Sequence, residues 1–475
     1  MQTHSQEGRG RWVLPVLSVA AFMASLDLFI VNVAFANIGR SFGGSPLSDL
    51  SWILNAYAIL YAALLVPLGR LADRFGQKAG FLLGLGLFVV GSAACAISPG
   101  LWSLVIFRAV QAIGAAALTP TSLGLLITAT APARRARAVR IWAATGGLAA
   151  AAGPVAGGLL VEASWRWVFL VNVPIGIAAL IIAAITVPGT RHDRSATVPD
   201  LAGVGLLVVA IGVLALGLVK APDWGWDSPK VIACLVVAIL ATAVFWRRSL
   251  HHPAPVVEPT LLRVRTFAWS NVASLLFTVA FAGGLLANIL WLQDVWHYSA
   301  LRTGIATVPG PLMVPLFAAL SQRVAHRIPA SWIAAAGCVV VAVAQVFIIF
   351  GLGPTPAYFT EALPGWLLIG IGVGLALPTM LSTATHDLPP ARSATGSAVV
   401  NMSRQIGTVL GVSLLVAILG VTVGYPATHA AYVDARWVLA GAALLGAVTA
   451  MGMTSRRLRT EIPSVATETP AVELA

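Results

Sequence analysis

Residues 50–97 read LSWILNAYAILYAALLVPL, then GRLADRFGQK, then AGFLLGLGLFVVGSAACAI. Two uncharged apolar runs of 19 residues flank a ten-residue connection that carries three cations and one anion. At ~1.5 Å per residue a helix of that length reaches about 29 Å, the thickness of a bilayer's hydrocarbon core. The stretch therefore reads as two membrane spans joined by a short basic turn, and the rest of the chain repeats that pattern. Over all 475 residues, 58% are hydrophobic and 10% charged, far from the ~45–50% and ~25% of soluble domains. Fourteen spans would consume about 290 positions and leave about 180 for tails and connections.

Apolar runs broken by Pro, Gly and charge place helices at about 12–37, 50–68, 79–97, 101–121, 139–161 and 168–187. A pair at 201–219 and 231–246 follows a polar linker, and six more lie at 267–291, 301–320, 332–352, 363–383, 396–421 and 437–453. The expected organisation is an all-α polytopic membrane protein with a cytoplasmic tail (1–11), a six-helix bundle (12–188), an inserted pair with its linkers (189–266), a second six-helix bundle (267–455) and a second tail (456–475). Arg9 and Arg11 ahead of an apolar segment imitate a signal peptide, but residues 12–37 are too long for one and contain Asp27 and Asn32, so they read as a retained first span.

The net charge of +12 does not indicate nucleic acid, because the cations lie in short loops and not on one soluble face. With both termini inside, 21 basic residues fall in cytoplasmic segments and six (Arg40, Arg166, Lys220, Lys230, Arg302, Arg436) outside, leaving Arg108 and Arg404 within spans. The positive-inside rule turns that ratio into an orientation, both ends facing the cytoplasm. Cys95, Cys234 and Cys338 sit in apolar runs and offer no disulfide framework or metal cluster. No cofactor is expected.

The chain contains a repeat. Arg70-Leu71-Ala72-Asp73-Arg74 recurs as Arg323-Val324-Ala325-His326-Arg327 at an offset of 253, Thr128-Ala129-Thr130 as Thr383-Ala384-Thr385 at 255, and Gly153-Pro154-Val155-Ala156-Gly157 as Gly407-Thr408-Val409-Leu410-Gly411 at 254. The offset carries helix n to helix n+8, an even step, so the halves share one orientation about an axis along the membrane normal. Such paired bundles form alternating-access carriers, with the substrate site near the midplane between repeats.

Asp27 is the one acidic residue in the middle of a span, and a carboxylate there costs at least ~2.5 kcal/mol on insertion scales. A carboxylate kept from water resists ionisation, so it can take up and release a proton as its surroundings change. Structural hydration alone is the competing role. Helix-midpoint arithmetic puts Asp27 ~4 Å outside the midplane and Arg108 ~4 to 5 Å outside it, which makes Arg108 its candidate partner. The turn residues Gly69, Arg70, Asp73, Arg74, Gly76 and Lys78 are candidates for a latch between bundles, with Asp73 able to cap the third helix. Gly153, Pro154, Gly157 and Gly158 put small residues on one helix face and allow close helix approach. Depth and chemistry nominate Phe29, Asn32, Trp52, Asn55, Tyr57, Gln111, Asn288 and Gln293 as cavity residues, although any of them can instead bond between helices. Arg404 either faces the cavity or reaches toward the cytoplasm.

At Leu26 to Ala34, at the ten residues from Gly69, at Arg108 with Gln111 and Gly114, at Gly153 to Gly158 and at Trp165 to Pro174, the chain resembles the major facilitator superfamily, specifically its fourteen-helix drug:proton antiporters of the EmrB/QacA type. Departures include Phe29 where Thr is usual, Ala36 for Pro, Ala112 for Gly, Gln77 for a cation and Ala149 for Gly. The thirteenth helix carries no acid, only Arg404, which weakens the case for dicationic substrates. The resemblance implies a monomer in the cell membrane that exports a small amphiphilic organic molecule, with the proton as coupling ion. Export of an endogenous metabolite is the alternative. The absence of a Gly-x-x-x-x-Gly-Lys-Ser/Thr loop leaves an ion gradient or the substrate's own gradient as the drive. Scattered histidines argue against a membrane enzyme, and an embedded carboxylate within a repeat argues against a passive channel.

Overall fold

The computed structural model describes residues 2–189, 198–351, 353–389 and 392–454, with the side chains of 2–11 and of Ala136 left aside. Fourteen helices are long and apolar enough to cross a membrane: α1 (Trp12–Ser41), α2 (Leu47–Phe75), α3 (Gln77–Ala96), α4 (Leu101–Ala129), α5 (Pro132–Ala163), α6 (Trp167–Thr186), α7 (Leu201–Trp224), α8 (Pro229–His251), α9 (Arg265–Val295), α10 (Ala300–Val324), α11 (Ala330–Gly351), α12 (Tyr358–His386), α13 (Ser393–Leu419) and α14 (Tyr425–Met451). No strand occurs among the described residues. The arginine-bearing turns α2–α3, α4–α5 and α10–α11 lie on one side, called here the basic face.

Local chemistry explains the boundaries. Pro132 and Pro229 start helices in the first turn, where a missing N–H costs nothing. Ser228 caps α8 by accepting from the Val231 amide, and Asp200 caps α7 by accepting from the Gly203 amide at 2.9 Å. Most helices outrun the apolar windows. The second helix was expected to end near residue 68 but continues to Phe75, because nothing in Arg-Leu-Ala-Asp-Arg-Phe breaks a helix. The reversal comes at Gly76, whose φ of 105° a residue with a side chain rarely adopts. Asp73 therefore lies in the last turn of α2, where it accepts from Gln77 Nε2 at 2.9 Å, and does not cap α3. The fourteenth helix begins at Tyr425, twelve residues before the expected start at 437.

The helices form two six-helix bundles and an inserted pair. In the first bundle α1 packs on α5, α2 on α4, and α3 on α4 and α6; in the second, α9 packs on α13, α10 on α12, and α11 on α12 and α14. Adding eight to each label converts one set into the other. Between bundles, α2 meets α13 and α5 meets α10, and the same step exchanges these two contacts, as a two-fold axis along the membrane normal requires. The repeat also holds at single residues. A methyl group on Gly153 would lie 2.7 Å from Phe29 Cβ of α1, and one on its counterpart Gly407 would press on Leu275 and Thr278 of α9. Helix α7 rests on α2 and α13, with α8 packed on α7. Large apolar side chains of α8, such as Ile239 at 68% exposure, point away from the protein as lipid-facing groups do.

The bundles meet unevenly. Far from the basic face α5 and α10 touch through glycine, since a methyl on Gly158 would sit 2.8 Å from the Ala300 carbonyl oxygen. Toward the basic face they separate: nothing lies within 4 Å of that position on Gly147, and Leu148 and Leu316 are exposed.

Candidate functional site

Five helices of the first bundle converge on one carboxylate. Asp27 on α1 and Arg108 on α4 are 0% and 1% exposed, and Arg108 Nη1 donates to Asp27 Oδ2 in a short ion pair. Asp27 Oδ1 accepts from Gln111 Nε2 at 2.9 Å and from Asn172 Nδ2 of α6 at 3.4 Å. Gln111 Nε2 also donates to Ser92 Oγ of α3 at 2.7 Å, and Gln111 Oε1 accepts from Arg108 Nη1 at 2.7 Å. The guanidinium sends Nε to the Ile53 carbonyl of α2 at 3.2 Å and lies 4.1 Å from the centre of the Tyr57 ring. Both carboxylate oxygens and the Nε and Nη1 groups of the guanidinium thus have partners, which helps make two buried charges tolerable in a low-dielectric interior.

Gln111, nominated as a cavity residue, belongs to this network. Residues 111 and 108 are one helical turn apart, so both face α1. Ser92 and Asn172 were not anticipated. Asn172 lies in the Trp165–Pro174 stretch, so the signal was present without a role; nothing in the sequence around Ser92 marks it.

The other nominated cavity residues scatter. Asn55 donates to Ser413 Oγ of α13 at 3.2 Å, and Gln293 to the Val33 carbonyl of α1 at 3.0 Å, so both join the bundles. Asn32 bonds back to the Leu28 carbonyl of its own helix at 2.7 Å. Phe29 lies under Gly153, and Tyr57 under Arg108. Trp52 is half-buried, its Nε1 without a protein acceptor. Asn288 accepts from Arg436 Nη2 at 2.7 Å.

Arg436 itself requires a correction. It was counted with the outside loops, but it is 1% exposed inside α14 and bonded to Gln345 and Asn288. Among the described residues three arginines, not two, are therefore embedded. The third, Arg404 on α13, reaches Asn401 Oδ1 at 3.1 Å, and its Nε has no protein acceptor.

On the basic face the turn residues find partners away from their repeat. Arg70 donates to the Pro255 carbonyl at 2.8 Å and pairs with Glu258 at 2.6 Å, both in the connection between α8 and α9, and makes no pair with the 323–327 turn. Arg392, just before α13, approaches Glu258 at 3.9 Å and donates to Thr260 Oγ1 at 3.1 Å. Glu258, unmarked by any motif, thus stands between cations of the two bundles. Lys78 donates to the Ala184 carbonyl near the end of α6. Arg74 lies beside the Phe75 ring. Asp200, at the start of the inserted pair, is gripped by Arg248 Nε at 2.7 Å. Burial alone would push its carboxyl up, but the Gly203 amide and the Arg248 and His252 groups outweigh burial and hold it below the ordinary 3.8. The tail residues Arg456, Arg457 and Arg459, the linker residues Arg191 and Arg194, and the side chains of Arg9 and Arg11 lie outside the described residues.

The sequence profile described as the Major Facilitator Superfamily matches residues 17–412. The chain belongs to that superfamily. Its relatives include the methylenomycin A resistance protein of Bacillus subtilis (strain 168), 33% identical across 92% of this chain and 93% of that one. The tetracenomycin C resistance and export protein of Streptomyces glaucescens is 31% identical across 88% of this chain and 77% of its own length. The multidrug resistance protein Stp of Mycobacterium tuberculosis is 32% identical across 84% and 74%. Among solved structures, a peptide transporter POT in complex with sulfate aligns with a TM-score of 0.68 at 19% identity over 93% of this chain and 94% of that one. The POT family transporter PepTSo aligns at 0.69 and 14%, over 93% and 97%; both likenesses concern the fold alone. As a major facilitator the protein is a multi-pass membrane transporter and not an enzyme.

Proposed function

We propose that this major facilitator is a proton-coupled exporter of a small amphiphilic organic molecule, working by alternating access as a monomer in the cell membrane. The observation that carries the reading is the buried Asp27–Arg108 pair, whose hydrogen bonds tie α1, α2, α3, α4 and α6 together. Ionised, Asp27 holds Arg108, Gln111 and Asn172 at once. Protonated, it loses its charge and one acceptor site, which frees Arg108 and loosens α1 against α4. A proton taken up there changes the packing that seats α1 against α5, and α5 carries the contact to the second bundle at Gly158.

Orientation follows from charge. With Arg436 moved into the membrane, the outside count falls from six to five against 21, so the basic face is assigned to the cytoplasm. The parted cytoplasmic halves of α5 and α10 then describe an inward-open carrier, with bodies 12–188 and 267–455 moving about the α2–α13 and α5–α10 contacts. Inward proton movement releases ~2.3 kcal/mol per charge per 100 mV, which drives uphill export. Resistance functions carried in the relatives' names supply the substrate class: antibiotics and other drugs.

Proteoliposomes loaded with a pH-sensitive dye test this directly. Adding a substrate found by a drug-sensitivity panel in a pump-deficient host is expected to cause proton movement opposite to substrate movement. Asp27→Asn should bind substrate yet move no protons. Proton-linked transport by that variant would overturn the proposal.

A further inference from the structure

The embedded arginines differ in what answers their charge. Arg108 is paired with Asp27, and Arg436 is held inside the second bundle by two neutral amides, Gln345 and Asn288. Arg404 of α13 has less. Its Nη1 donates to Asn401 Oδ1 at 3.1 Å, its Nε is covered without an acceptor, and among the described residues it forms no ion pair. It takes no part in the Asp27 network.

Azimuth decides what Arg404 faces. Ser403 donates to Asn271 Oδ1 of α9 at 2.9 Å, and methyl groups on Gly407 and Gly411 would press on the Leu275 and Val279 carbonyls, so that face of α13 is taken by α9. Ser413 accepts from Asn55 of α2, and Met402 and Val409 fill the apolar cluster shared with α2 and α7, so a second face is taken by those helices. Ser397, Asn401, Arg404 and Thr408, three or four residues apart, form a third face, and all four are half-buried. It turns to the space between the bundles. There Arg404 is a neighbour of Tyr61, whose hydroxyl is bonded to Thr119 Oγ1 of α4 at 2.8 Å. Arg404 lies two residues to the basic-face side of the α13 midpoint, ~3 Å along the helix, in the half where α5 and α10 are parted.

A guanidinium without a counter-ion at that depth is costly, and an anion beside it offsets the cost. With Nη1 on Asn401, the edge left unbonded is the Nε–Nη2 side, the edge that grips a carboxylate through parallel N–H···O bonds. An oxyanion seated there gives the covered Nε the acceptor that no protein group supplies. The hydrocarbon half-thickness of ~15 Å keeps lipid phosphates away from a side chain that leans only one turn toward the basic face. A cationic substrate would meet Arg404 with no carboxylate to offset it, since Asp27 is committed to Arg108. We infer that the protein exports anionic amphiphiles, and that Arg404 binds their carboxylate, or an equivalent oxyanion such as an enolate or sulfonate, between the bundles. This rests on the export reading proposed above and narrows its substrate to one charge class.

Proteoliposomes holding the full-length protein under an imposed proton gradient test this with a charge-sorted panel of amphiphiles. The panel includes fluorescein and tetramethylrhodamine methyl ester, an anion and a cation on one xanthene skeleton. Anions, fluorescein among them, should be moved in preference to cations of similar size by roughly tenfold or more, because like charges brought together repel. Arg404→Gln, checked for wild-type melting, should raise KM for the anion at least about tenfold through loss of charge-assisted hydrogen bonds, and leave neutral compounds unaffected. Arg404→Lys keeps the charge but not the fork and should fall between the two. If Arg404→Gln does not fold, Arg404→Lys and the charge preference of the wild type decide. A wild type that prefers cations or neutral compounds overturns the inference and leaves proton-coupled export standing, as does an anion KM unmoved in both variants. A protein that moves no member of the panel overturns export and this inference together.

Discussion

Arg108 of α4 and Asp27 of α1, 81 positions apart, form an ion pair in which neither side chain is more than 1% exposed. Removing one partner of such a pair strands a buried charge, which costs ~3–5 kcal/mol, whereas removing both charges together is close to neutral. Arg108→Met is therefore expected to lower the melting temperature far more than the double variant Asp27→Asn, Arg108→Met. Equal destabilisation of the two, measured on purified protein, would show that the pair is not coupled.

Gly158 is where α5 and α10 meet away from the basic face, and an added methyl would lie 2.6 Å from Leu301 Cα, a backbone atom that cannot swing aside. Gly158→Ala should cost ~1–3 kcal/mol through overpacking and part the helices at that end. A cysteine placed at Ala300, buried in the wild type, should then react faster with maleimide. Unchanged labelling and unchanged melting would count against a glycine-dependent seal.

Glu258 stands between Arg70 and Arg392, with Arg70 and Glu258 17% and 27% exposed. A partly solvated pair contributes at most ~1 kcal/mol to stability, so Glu258→Gln should melt within a few degrees of wild type. Its effect should appear instead in the equilibrium between inward- and outward-open forms, read as altered cysteine accessibility on both faces. A variant with wild-type accessibility would restrict the contact to anchoring the connection.

Asp200 gives a pH prediction. Its carboxyl is held below the ordinary 3.8 in the folded protein, so the clip to Gly203 and Arg248 contributes fully above that value and is lost as pH falls through the lower, folded one. The melting difference between wild type and Asp200→Asn should not shrink from pH 7 to 5, where charging of the neighbouring His252 can only enlarge it, and should fall only below 3.8. A difference that already shrinks between pH 7 and 5 would contradict the assignment.

Helix count, repeat offset and the one embedded carboxylate were legible because each depends on local composition. Hydropathy sees a span whichever way its faces point, and a repeat survives as matching residues at offsets of 253 to 255. Depth arithmetic even placed Asp27 and Arg108 at one level. It placed Arg436 wrongly, since an apolar window starting at 437 stops at the first charge, while backbone hydrogen bonding carries the helix back to Tyr425. Glu258 went unnoticed for a related reason: it sits in a connection, and its meaning comes from Arg70 and Arg392 being brought to it from residues 188 and 134 positions away.

The sequence by itself determined how many times the chain crosses, that its halves are alike, and which charges are too costly to be accidental. The tertiary structure alone decided which partners those charges have. Length and polarity fix a side chain's depth along a helix, but its azimuth, and so the neighbour it meets, is set by how helices pack around one another. That is why Gln111 joined Asp27 and why Arg436 came to rest on two neutral amides.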